Sequence, residues 1–305
     1  MNWDPTSVIN AGISLLALES EHAMEVEMTT ASTKKKELYN MFMKLSELIP
    51  GLQESADWDL VHHRLEHHKS AAKTEDNRTF KVSLPQWQAW NPPLSCESKL
   101  GRGLSHPECT RLLCPIDVDW DCKVARNKFQ VELDPPMTAT RWPAFLYENY
   151  KADLNNLAKG FMRSDIMVRA TRAVLFPPSV ANAKDRPDHK SNRKSKATIY
   201  EMDQITPGLL AYMAVGIRYA LSSETTFNLC GGVFNYQRFY TDLVAYLTDP
   251  ACKRETDKLI QWWNDCLFPL KHVVEDDTLS DMLSRLRAQV QAGDQQHLWS
   301  DNIDE

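Results

Sequence analysis

The stretch from Trp90 to Trp142 sets the strongest limit on this fold. Pro92, Pro93, Gly101, Gly103, Pro107 and Pro115 crowd its first half and forbid any long regular element there. Proline has no amide proton for a helix or sheet, and it drives the preceding residue toward extended backbone. A chain interrupted in this way must draw its core from the segments on either side. The stretch also carries four of the seven cysteines, Cys96, Cys109, Cys114 and Cys122, together with His106. With aromatic residues at Trp90, Trp120 and Trp142 as well, it is expected to be an ordered wrap rather than a solvated linker.

The flanking segments show helical periodicity. Leu38, Phe42, Leu45 and Ile49 recur one turn apart before Pro50. A second helix is predicted over about 54–72, a third over part of 77–90, and another between Phe161 and Phe176, closed by Pro177-Pro178. Thr206-Pro207 pairs an N-cap hydroxyl with proline at the first helical position. The helix it opens runs to about Leu221 and presents Leu210, Met213, Ala214, Ile217 and Leu221, the pattern of a central core helix, with Gly208 and Gly216 admitting a close neighbour. Helices over about 235–247 and 252–267 follow, and Thr278-Leu-Ser-Asp281 resembles the capping box of a last one. Strand-like alternation is confined to Phe80–Leu84 and Lys128–Leu133. The expected fold is therefore mainly α: a single irregular helical domain with a proline-rich ordered loop wrap and at most a minor short β element. Its expected parts are a variable segment over 1–35, the helical domain over 36–270, and a C-terminal helix with an acidic tail over 271–305.

At 305 residues and 43% hydrophobic content, the chain can bury one large core or two modest ones without staples. A formal charge of −6 gives no overall pull toward nucleic acid or acidic membranes. The apolar run Val8–Leu18 lacks a basic flank, follows Asp4 and precedes Glu19 and Glu21, so it is not expected to be a signal peptide. No segment has the roughly 18 apolar residues of a membrane span. Seven irregularly spaced cysteines fit reduced thiols. The expected setting is the cytoplasm or nucleus, with no membrane partner.

Three groups of residues could carry chemistry. His63, Glu66 and His67 spell H-x-x-E-H, in which two histidines one helical turn apart can hold zinc while the glutamate activates water; the polar flanks suit a solvated helix face instead. His106-x-x-Cys109, with Cys96, Cys114 and Cys122 nearby, offers ligands for a structural zinc, but Cys114-x7-Cys122 breaks the usual spacing. The preferred reading makes Cys114 a small buried hydrophobe and has His106 hydrogen-bond loop backbone, so no cofactor is expected. The third group is the basic loop over 184–196, with Arg186, Lys190, Arg193, Lys194 and Lys196 as partner-contacting or phosphate-contacting residues. Asp117 with Asp119, and Asp276 with Asp277, suit caps and solvated charges better than acid/base pairs. Adjacent Trp262 and Trp263 should bury at least one ring.

Ordered short motifs then carry a resemblance. They are Leu45-Ser-Glu-Leu-Ile-Pro-Gly51, Asn91-Pro-Pro-Leu-Ser95, Gly101-Arg-Gly103 with His106, and Leu112-Leu-Cys-Pro115 with Asp119-Trp120. Trp142-Pro-Ala-Phe-Leu-Tyr-Glu-Asn-Tyr150, Gly160-Phe-Met-Arg-Ser164, Pro177-Pro-Ser-Val180, Ile205-Thr-Pro207, Arg218-Tyr-Ala-Leu-Ser222, Phe239-Tyr240 and Trp262-Trp-Asn264 continue the series. Over about residues 43–270 the chain resembles a domain of unknown function abundant in mushroom-forming basidiomycete fungi. The resemblance implies no activity, cofactor or catalytic residue. His106 and Cys114 fall on positions of that pattern, whereas Cys96, Cys109, Cys122 and the histidine cluster do not. The expected function is non-enzymatic binding of another macromolecule, first a protein. The alternatives are nucleic-acid association through the basic loop, and a metal-dependent hydrolase through His63, Glu66 and His67.

Overall fold

Asp4 begins the first helix: its carboxylate accepts hydrogen bonds from the amides of Thr6 and Ser7, and Pro5 occupies the first helical position. In this computed structural model, which describes residues 4–18, 20–177, 194–268 and 284–287, the apolar run weighed above as a signal is helix α1 (Pro5–Leu16). Its Val8, Ile9 and Leu15 are buried. They pack against α3 (Thr33–Leu48), reached through the short α2 (Glu21–Thr30). Gly12 makes that contact possible, since a Cβ there would lie 2.1 Å from the Phe42 ring.

Helix α4 (Trp58–Trp87) replaces the two helices expected between 54 and 90, and it includes Phe80–Leu84, where the alternation suggested a strand. Thirty residues rise about 45 Å, enough to serve two cores. Trp58, Val61 and Leu65 close a small core with α1 and α3. At the other end Phe80, Leu84 and Trp87 enter the main core. Pro85 is tolerated because it sits in the last turn.

Between Trp90 and Trp142 the backbone is mostly irregular, yet it contains α5 (Pro107–Leu113) and α6 (Lys123–Glu132). The second of these overturns the strand reading of Lys128–Leu133: it is a helix whose buried residue is Phe129. Among the described residues β structure is limited to isolated bridges, Pro115 with Pro143, Tyr147 with Phe161, and Asp153 with Asn156. The first ties the wrap to the Trp142–Tyr150 segment, which forms 3₁₀ turns, and the second ties that segment to Phe161.

Helix α7 (Asp165–Leu175) starts later than the expected Phe161. Gly160 and Met162 take positive φ, so the chain is still turning there, and Ser164 then caps the helix. After α8 (Lys196–Ile199) come α9 (Pro207–Leu221), α10 (Tyr236–Thr248) and α11 (Lys253–Leu267), close to their sequence-derived limits. Helix α9 is buried along nearly its whole length, with Leu210, Met213, Ala214, Ile217 and Leu221 fully enclosed. A Cβ on Gly216 would fall 2.2 Å from the Phe80 ring, so this glycine sets the approach of α9 to α4. Trp263 is buried and donates its indole hydrogen to the Met162 carbonyl, while Asn264 accepts from the Ile205 amide. The expected start of the last helix at Thr278 lies outside the described residues, while 284–287 are described and are helical and exposed.

Candidate functional site

His106 and Cys114 occupy opposite ends of α5, its N-cap and C-cap, about 12 Å apart along the axis. His106 Nδ1 accepts from the Cys109 amide at 3.3 Å, so Nε2 carries the proton and donates to the Pro92 carbonyl at 2.7 Å. Both ring nitrogens are thus engaged with backbone, and the imidazole pins the Asn91-Pro-Pro segment to α5. Cys109 and Cys114 are buried, and burial pushes each thiol up to about 12, which keeps them protonated and poorly nucleophilic. Cys96 and Cys122 are exposed, and all seven cysteines are free thiols. The five residues weighed as a zinc set therefore do not converge. Among the described residues no group of three or more His, Cys, Asp or Glu side chains could hold a metal ion.

The H-x-x-E-H residues lie on the N-terminal half of α4, where His63 and His67 are partly to fully solvated. Glu66 pairs with Lys69 at 2.9 Å, and neighbouring His62 contacts the Thr6 hydroxyl at 2.6 Å. This is a solvated helix face with local polar contacts and no enclosing apolar walls. The paired aspartates are equally local: Asp117 pairs with Arg141, and Asp119 accepts from the amides of Asp121 and Cys122 in a turn. Asp276 and Asp277 lie outside the described residues.

Of the basic-loop residues, Arg186, Lys190 and Arg193 lie outside the described residues, whereas Lys194 and Lys196 line a groove of about 530 Å³. Its walls are the outer face of α4 (Arg78, Val82), the end of α7 with Phe176 and Pro177, and α8 with Ile199 and Tyr200. Ile199 is 58% exposed and Tyr200 66%, an unusual display of apolar surface beside cations. Lys196 is not a free cation. It bonds the buried Asp76 at 2.6 Å, and Asp76 also accepts the Tyr212 hydroxyl at 2.6 Å, so this pair fastens α8 to α4 and α9. Arg78 pairs loosely with Glu75 at 3.7 Å in solvent.

A second cluster has no contiguous signature in the sequence. Lys99, Arg102 and Arg218 are 6%, 1% and 3% exposed, which is rare for such residues. Arg102 donates to three carbonyls, those of Ala220 at 2.9 Å and of Lys81 and Ser95 at 2.7 Å. The Lys81 carbonyl is open because its normal helical partner would be the amide of residue 85, and residue 85 is proline. Arg102 thereby locks α4, the wrap and the end of α9 together. Lys99 donates to the Glu224 carbonyl at 2.6 Å and lies 3.2 Å above the Tyr219 ring. Burial, then the nearby Arg102, lower its pKa to about 7. Arg218 lies over Phe234 at 4.1 Å, and its Nη1 is buried without a hydrogen-bond partner.

The profile of a family of unknown function, DUF6698, matches residues 67–268, about two thirds of the chain. The chain belongs to that family. No curated protein and no solved structure matches it.

The DUF6698 span opens inside α4 and closes at the end of α11. It includes the groove and the buried cations, and it leaves out α1 to α3 together with His63 and Glu66. Within it, several motif residues quoted above prove to be fasteners: Arg102, His106, Ser164, Trp263 and Asn264 each hold a backbone group from a distant segment. The one local signal for the missed cations is Arg218 itself, an arginine inside the otherwise apolar α9.

Proposed function

We propose that this DUF6698 chain works by non-catalytic binding of a partner protein, and that the groove between α4, α7 and α8 takes up an acidic, apolar-flanked segment of that partner. One observation carries the reading. Pro177 and Lys194, the residues on either side of the basic segment, both line a groove that displays Val82, Ile199 and Tyr200. Lys196 aside, the sequence over 181–195 holds five Lys and Arg against two Asp, which supplies the charge that an acidic segment would complement. Large apolar side chains beside the cations supply anchoring area, as peptide-binding grooves require.

The second reading, association with nucleic acid through Arg186, Lys190, Arg193, Lys194 and Lys196, draws less support. Lys196 is committed to Asp76, Arg78 faces Glu75, and the net charge is −6. The proposed setting is the cytoplasm or nucleus of a mushroom-forming basidiomycete, on the strength of the sequence motifs. Among the described residues no helix is long and apolar enough to cross a membrane. Display of random peptides on the purified protein tests the proposal, with Ile199→Glu and Tyr200→Glu variants as counter-selection. Enrichment of sequences combining Asp or Glu with large apolar residues is expected; enrichment that ignores charge, or that survives both variants, overturns it.

A further inference from the structure

Three buried cations gather where the wrap meets the end of α9, and two of them, Lys99 and Arg218, lie near one carboxylate. Lys99, Arg102 and Arg218 are all nearly solvent-free, and the acid is Glu224, whose Oε1 accepts the Tyr236 hydroxyl at 2.7 Å. With Lys99 protonated, two positive charges are left without a carboxylate of their own. Among the described residues the buried side-chain nitrogens lacking any hydrogen bond are Arg102 Nε and Arg218 Nη1, both in this cluster. No carboxylate oxygen of the described residues lies within ion-pair distance of Arg218, whose contacts are the faces of Phe234 and Tyr236. A guanidinium taken out of water without an anion or acceptor is strongly disfavoured, and cation–π contact offsets only part of that. Arginine cannot escape by losing its proton.

We propose that Arg218 and Lys99, backed by the charge of Arg102, form a binding site for a small dianionic oxyanion of the phosphate or sulfate type beneath the 223–235 segment. While Lys99 is protonated, the charge deficit matches a dianion. The donors available are Arg218 Nη1 and the ammonium hydrogens that Lys99 does not spend on the Glu224 carbonyl. The covering segment, between Ser223 and Asn235, is mostly exposed and includes Gly231 and Gly232; it is pinned where Phe227 and Phe234 pack on the core, where the Thr225 carbonyl accepts the Tyr219 hydroxyl and where the Leu229 carbonyl accepts the Gln237 amide. A single ligand here would neutralise charge that the fold alone leaves subject to repulsion between Lys99 and the two arginines.

The test is calorimetric titration of the full chain with sodium sulfate and sodium phosphate, with sodium chloride at matched ionic strength as the screening control. Saturable binding of sulfate or phosphate is expected, weakened about tenfold or more in Arg218→Met, with no saturable response to chloride. Absence of saturable binding to the folded wild type overturns the proposal, as does an Arg218→Met protein that binds like wild type. If circular dichroism shows that variant unfolded, Lys99→Gln decides in its place: lost affinity supports the site, and unchanged affinity removes it. Sulfate keeps its charge across neutral pH, so its affinity reports the lysine. Lys99 faces Arg102, Arg218, Lys81, Glu224 and Tyr219, and sulfate binding should weaken as the pH rises through about 7. A pH-independent sulfate affinity contradicts the role of Lys99.

Discussion

Replacing Arg102 by alanine should be among the most damaging single changes outside the apolar core. The guanidinium makes three bonds of 2.7–2.9 Å, each to a carbonyl from a different part of the chain. Charge-assisted bonds of this kind contribute about 1.5–3 kcal/mol each, and the cost of burying the cation offsets part of the total. Truncation also leaves the carbonyls of Lys81, Ser95 and Ala220 short of a donor, so a net loss of about 3–5 kcal/mol is expected. Urea unfolding followed by tryptophan fluorescence and far-ultraviolet circular dichroism measures it. The specific claim about Pro85 needs a second mutation. Pro85→Ala restores the amide that the Lys81 carbonyl lacks, so it should recover about 1 kcal/mol when Arg102 is absent and much less when Arg102 is present. A loss below about 1 kcal/mol for Arg102→Ala, or a double-mutant cycle that closes additively, refutes the reasoning.

Gly216→Ala should lower stability by about 1–3 kcal/mol, read from the same urea midpoint, because the new methyl meets the Phe80 ring at 2.2 Å; an unchanged midpoint would mean that α9 and α4 separate freely. In native protein a thiol reagent should label exposed Cys96, Cys122 and Cys230 quickly, and reach buried Cys109 and Cys114 only in denaturant; mass mapping of labelled peptides distinguishes the two groups. The Lys99 pKa of about 7 lies below its unfolded value of 10.5, so between those values the unfolded chain holds a proton that the folded one has released. The Lys99 contribution to stability should therefore rise with pH across that window, and Lys99→Met should remove the rise; a wild-type and variant difference that stays flat from about pH 7 to 10 counts against the burial argument.

The elements legible in the sequence are those whose signals are local. Thr206-Pro207 fixes the start of α9 because cap and proline act within one turn, and the apolar face that follows needs no distant partner to be recognised. The proline-braced wrap is legible for the same reason, as is the backbone role of His106. Helix α4 reads as two helices because its middle is polar: residues such as Lys73 and Glu75 suggest a break, while the long-range contacts of Asp76 with Tyr212 and Lys196 keep it helical. Arg102 is illegible as a clamp, since one of its acceptors is 118 residues away and another becomes available only through a proline. The groove has no contiguous signature either. Its lining comes from 75–86, 173–177 and 194–200, segments that meet only after α4 and α7 pack.

The binding claim is tested most directly by fluorescence anisotropy of two labelled probes, an acidic peptide selected by display and a short duplex DNA, against wild type, Tyr200→Ala and Lys194→Glu. Saturable peptide binding that both substitutions weaken, with DNA binding no stronger than to an unrelated acidic protein, is the predicted result. Tight DNA binding that falls steeply with salt and is lost with Lys194→Glu, while the peptide fails to bind, would contradict the account.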